Sequence, residues 1–256
     1  MHGRRRRWTL AGLLLLLAAG GLVWTNWPRD AAVPASVEEA LRAFRAHAAE
    51  AASPRPGLPQ PGVYVYAIDG SESLDAVLDG THRYAGQATV TVESSPCGVS
   101  ERWQPLTARW TKSRICEQGG ELRLAGIAEA HEFFDRSQLD TYGCRGAGPA
   151  PVDYRVGVSW RAACRGDSGV LQVDSRIVET GTVAVGGQRL AAVRIRSRAV
   201  VGGDNAGVSI QSEWRRSSDG LLLRRTVSSA MSVAVLGGGD YREDYSLELL
   251  SAAPRR

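Results

Sequence analysis

Tyr241-Arg242-Glu243-Asp244-Tyr245-Ser246-Leu247-Glu248-Leu249 alternates without a break. Tyr241, Glu243, Tyr245, Leu247 and Leu249 fall on one side, and Arg242, Asp244, Ser246 and Glu248 on the other. Successive side chains of an extended chain point to opposite faces, so this period marks an antiparallel strand with one face in water. The same period recurs upstream. Ala88, Val90 and Val92 share a face, as do Val156, Val158 and Trp160, and Val208, Ile210, Ser212 and Trp214. Gly186-Gly187 separates Thr182–Val185 from Arg189–Arg196, and Asp219-Gly220 separates Val208–Arg216 from Leu221–Val227. Both pairs suit two-residue hairpin turns, which need positive φ. Spacing of this kind fits about nine to eleven strands between residues 63 and 252.

A flat sheet of that size would expose an apolar face. The expected fold is therefore mainly β (α+β), a large curved antiparallel sheet, half-barrel-like, with a helix packed on it. That helix is predicted over 36–52. Ser36-Val37-Glu38-Glu39 matches a capping box, and Val37, Leu41, Phe44 and Ala48 follow at helical spacing. Pro54, Pro56, Pro59 and Pro61 end it and stiffen the connector, so residues 28–62 form one unit and 63–256 the β domain. Leu74–Leu78 reads as a second short helix.

The chain begins differently. Arg4–Arg7 precede Trp8 to Trp27, twenty residues without a charge. In helical geometry that spans about 30 Å, the thickness of bilayer hydrocarbon. The arginines place residues 1–27 as a cytoplasmic basic tail and signal anchor, with everything after exported, and Trp8, Trp24 and Trp27 suit the two interfaces. Cleavage near Ala18-Ala19-Gly20 is the competing outcome, but the apolar run continues past it through Trp24. The expected location is the cell membrane, single-pass, with the main domain extracytoplasmic.

Charge excludes one class of partner. The net charge is +4, with 31 basic and 27 acidic residues. Four of the basic residues and none of the acidic ones lie in 1–27, leaving 27 against 27. The basic balance is a membrane-orientation signal, so nucleic acid is not an expected partner. Cys97, Cys116, Cys144 and Cys164 all lie in the exported part. Sequential pairing, Cys97 with Cys116 and Cys144 with Cys164, is preferred among the three possibilities, because each bridge would staple neighbouring strands. No CxxC and no suitably spaced histidine points to a metal, and no cofactor is expected.

Cys164-Arg165-Gly166-Asp167-Ser168-Gly169 resembles the nucleophile segment of trypsin-like proteases over about six residues. Val170-Leu171 replaces the following Gly-Pro, and His131 lies too near to be the base, so no catalytic residue is assigned. His47, His82 and His131 read as surface or core-edge residues. Arg194, Arg196 and Arg198 form a ladder on one face, read as a solvated surface with Glu213 as a partner, or else as an anion site.

Further features resemble an uncharacterised actinobacterial family of membrane-anchored exported proteins. They are Pro61-Gly-Val-Tyr-Val-Tyr66 with Gly70–Ser73, Cys97-Gly98, Trp103 and Trp110 before Cys116, and Tyr241–Tyr245. The layout, a helix then a long antiparallel sheet, more loosely resembles LolA-like lipoprotein-carrier half barrels. A curled sheet covered by one amphipathic helix encloses an apolar concavity, and the expected function is a non-enzymatic domain holding an apolar or amphipathic ligand there. The residues expected to line it are Val63, Val65, Val90, Val92, Trp160, Val193, Ile195 and Trp214. The implied partners are the membrane through residues 8–27, a lipid or lipoprotein, and an envelope protein; the rival reading is a structural or docking module, and a hydrolase with a spatially assembled site stands third.

Overall fold

The computed structural model describes residues 32–48, 55–75, 80–234 and 238–256. The expected signal anchor and the last turn of the expected helix lie outside them. Among the described residues no helix is long and apolar enough to cross a membrane. One helix, α1 (Val37–Ala48), precedes thirteen strands. They are β1 (Gly62–Asp75), β2 (Gly80–Ser95), β3 (Gly98–Gln104), β4 (Trp110–Gln118), β5 (Glu121–Phe133), β6 (Arg136–Arg145) and β7 (Ala147–Pro149). After a 3-10 turn at Pro151–Asp153 come β8 (Ser159–Gly166), β9 (Gly169–Val185), β10 (Gln188–Gly203), β11 (Asn205–Arg216), β12 (Leu222–Val233) and β13 (Gly239–Leu249).

Each strand runs antiparallel to the next, with two departures. The short β7 pairs with one end of β5, so β6 pairs directly with β8. At the other side β13 returns to β1, Tyr66 opposite Leu249. Because β4 pairs with both β3 and β5, the sheet meets itself and becomes a closed barrel of twelve strands. The half barrel under a helical cover is thus corrected. Closure gives each edge strand a neighbour over most of its length without any cover.

The helix packs outside the barrel, on β1 and β2, and buries Val37 and Phe44. Its cap is the expected one, the Glu39 N–H donating to Ser36 Oγ at 3.3 Å. Glu38 and Glu39 in the first turn and Arg45 and His47 in the last complement the helix dipole. Leu74 finishes β1 and stays buried, so the second helix expected from that point is corrected to strand as far as Asp75. Gly186-Gly187 makes the β9–β10 turn with φ of 54° and 82°. The Asp219-Gly220 connection is longer than a two-residue hairpin. Asp219 accepts hydrogen bonds from Arg216 (2.7 Å) and from the Leu221 N–H (3.1 Å), which shapes a wider loop.

Inward and outward faces follow the alternation. In β13, Tyr241, Glu243, Tyr245, Leu247 and Leu249 are buried while Arg242, Asp244, Ser246 and Glu248 are exposed. Arg176, Arg196 and Arg198 are exposed too. Charge on the outer wall is the reverse of a lipid-facing barrel, whose apolar residues point outward. Both disulfides form with the sequential pairing, Cys97–Cys116 at the β3–β4 seam and Cys144–Cys164 across β6–β8.

Candidate ligand-binding lumen

Twelve strands enclose more space than ordinary side chains fill, since eight already make an interior just wide enough to pack. What occupies the interior changes around the wall. One register row crosses seven strands, from Val173 through Ala199, Ser209, Ser229, Glu243 and Glu72 to His82. It is apolar on β9 and β10, hydroxylic on β11 and β12, and ionisable from β13 to β2.

The ionisable side is a packed network. Glu72, wholly buried, faces His82 Nδ1 at 2.9 Å and His131 Nδ1 at 3.1 Å, and accepts the Tyr241 hydroxyl at 3.0 Å. Arg109 enters from the segment after β3 and grips Glu243 with two bonds of 3.0 and 3.1 Å, while Tyr84 donates to the same carboxylate at 2.7 Å. Burial pushes the Glu72 carboxyl up, but hydrogen bonds from His131 and His82 and the charge of Arg109 outweigh it and hold the carboxyl far below the usual range. The network bridges a gap in the wall. β2 pairs with β3 only from Thr89 onward, and β4 reaches β5 only up to Ala130. Across that gap His82 stacks on Phe133 with centroids 4.4 Å apart.

A second cluster lies toward the opposite rim. Arg215 grips Glu101 with two bonds of 3.0 Å and holds Glu213 at 2.7 Å, and Arg225 donates to Glu213 at 2.7 Å. Burial raises the Glu213 carboxyl, and the two guanidiniums more than reverse this, bringing it down to about 2. The second cluster thus balances two carboxylates with two guanidiniums, while in the first Arg109, two tyrosine hydroxyls and two imidazoles serve Glu72 and Glu243. Aromatic packing fills the space between the two clusters. Trp103 stacks on Tyr245 at 4.5 Å and Tyr84 meets both edge-on at 5.9 Å.

The remaining space is a cavity of about 350 Å³. Its apolar side is Ile127 from β5, Leu171 and Val173 from β9, Ile195 from β10 and Trp160 from β8. Trp160 can lie there because β7 carries Gly148, where a Cβ would come within 2.8 Å of the indole nitrogen. Ser113, Ser197 and Gln211 add polar spots.

Of the eight residues expected to line a concavity, Trp160 and Ile195 do so. Val90 and Val92 face inward but are packed solid against Tyr64 and Trp103. Val193 is buried against Ile177 and Ile195 without reaching the cavity. Val63 and Val65 alternate with the inward Tyr64 and Tyr66 and lie on the outer side, on the strand that α1 covers. Trp214 is on the outer face also, where the Arg194 guanidinium sits 5.7 Å from its ring centre.

Glu213 is no partner of the arginine ladder, because it faces the interior. Arg194 pairs instead with Glu179 at 2.7 Å, and Arg196 lies opposite Arg176. Ser168 sits in the β8–β9 turn, its hydroxyl 3.1 Å from that of Tyr142. The paired role of His82 and His131 on one carboxylate was not foreseen. The three residues come from β1, β2 and β5, and only the period-two placement of Glu72 and His131 on inward faces hints at it. No protein family, no curated protein and no solved structure matches this chain.

Proposed function

We propose that the barrel is a non-enzymatic, membrane-tethered exported domain that holds an apolar or amphipathic, lipid-like molecule in its lumen. One observation carries this reading, the cavity of about 350 Å³ with Trp160, Leu171, Val173 and Ile195 on one side. Its size falls within the range of about 300–1,000 Å³ usual for small-molecule sites. On its other side Glu101, Arg109, Glu213, Arg215, Arg225 and Glu243 are tied to each other, which leaves Glu129 as the lining carboxylate without an ion pair among the described residues. The basic and apolar segment over 1–27 supports tethering, with residues 8–27 as the membrane contact.

Native mass spectrometry of the protein and quenching of Trp160 by acyl-chain probes test this. Co-purifying lipid, or saturable quenching that disappears in Ala199→Phe, is the expected result, since Ala199 lines the cavity and a phenyl ring there would occupy it. Quenching that persists unchanged in Ala199→Phe would overturn the reading.

A further inference from the structure

We infer that the molecule held in the lumen carries a positively charged, primary-ammonium head, received by a small acidic pocket at the end of the cavity. This rests on the reading of the lumen above and adds the head-group chemistry. The pocket has a volume of about 60 Å³ and lies at the rim where β5 turns into β6 and β10 into β11. Glu129, His131, Tyr142, Val201 and Met231 line both it and the larger cavity, so the two spaces adjoin.

Three acceptors line this pocket. Glu129 on β5 and Asp140 on β6 are direct register partners on the inward face. Like charges directly opposite one another destabilise a strand pair, and a buried carboxylate calls for a cation. Asp140 is 8% exposed and accepts one bond, from Gln138 Nε2 at 2.7 Å. Among the described residues neither carboxylate is in an ion pair. Arg136 lines the same pocket, but it is exposed at the rim and pairs with neither. His131 already faces Glu72. The third acceptor is independent of the acidic pair. Asn205, also 8% exposed, lines the pocket from the start of β11, and its Oδ1 has no hydrogen-bond partner among the described residues. A group with three N–H donors and one positive charge can serve all three acceptors and is small enough for a space of about 60 Å³. A carboxylate or phosphate head would meet repulsion here.

The test uses the full chain in nanodiscs, with empty nanodiscs as reference, titrated calorimetrically with octylammonium, octanoate and octanol. Octylammonium should bind about tenfold or more tightly than octanoate, the difference that one charge-assisted hydrogen bond produces. In Glu129→Gln/Asp140→Asn that preference should vanish while octanol still binds, which reports an intact lumen in the variant. Equal binding of all three probes, or a preference that survives the double substitution, would overturn the head-group inference and leave the lumen reading standing. Failure of all three to bind would remove both.

Discussion

Glu213 shows how a single inward side chain governs this interior. Its carboxyl is held at about 2 rather than the ordinary 4.5 because two guanidiniums outweigh its burial. A depressed carboxyl contributes stability that is complete above the unfolded value and disappears as pH falls through the folded one. About 3 kcal/mol should therefore be lost between about pH 4.5 and pH 2, measurable as a falling urea midpoint. Glu213→Gln at neutral pH leaves Arg215 on Glu101 alone and takes from Arg225 its carboxylate partner, and should cost about 3–5 kcal/mol. Gly148 governs position instead of charge. Gly148→Val drives a side chain into the Trp160 indole, so acyl quenching should fall while near-native circular dichroism persists. Neither role could be read along the chain, since each depends on a partner from a distant strand. Val63 and Val65 failed for a related reason. Gly62 to Tyr66 is buried on both faces, so alternation there does not say which face is inside.

Strands and their seams behave more predictably. Where one face meets water, period two gave the correct inward set, as in β13. The hairpin at Gly186-Gly187 and the cap at Ser36 were legible because both depend on chemistry within a few residues. Closure was not, because it rests on the pairing of β1 with β13, the first strand with the last. The disulfides act at this scale. β6 and β8 share only four register pairs, Tyr142–Arg145 against Gly166–Ala163, making this a weakly paired seam of the ring. Cys144–Cys164 reinforces that seam, and Cys97–Cys116 clamps β4 to the end of the β2–β3 turn. Together they bracket the panel β4–β5–β6. Replacing both Cys144 and Cys164 by serine should cost about 3 kcal/mol for a loop of this length. Hydrogen exchange should quicken first in residues 159–166, whereas uniform acceleration over the barrel would contradict the seam picture.

For the molecule as a whole, the barrel divides its interior into a paired ionic side and an apolar side with room to spare. The class of fold was visible from the sequence, but only Trp160 and Ile195 of the eight residues expected in a concavity reach the cavity. The contents of the interior were not visible, because Glu72, His82 and His131, or Glu101 and Arg215, become neighbours only after the ring has formed. The ring itself depends on β13. A chain ending at residue 234 lacks β13, which joins β12 to β1, and should lose cooperative thermal unfolding, with light scattering reporting association through the two bare edges.

The meeting of β1 with β13 also orders events in time. A polypeptide emerging from its amino end can zip hairpin after hairpin, yet its first strand keeps an unmated border until the last one arrives. Pairings so remote in sequence are reached slowly, over milliseconds to seconds in domains rich in them. Throughout that interval the future interior is an open trough, accessible along its whole length, and the arrival of β13 shuts it in one step.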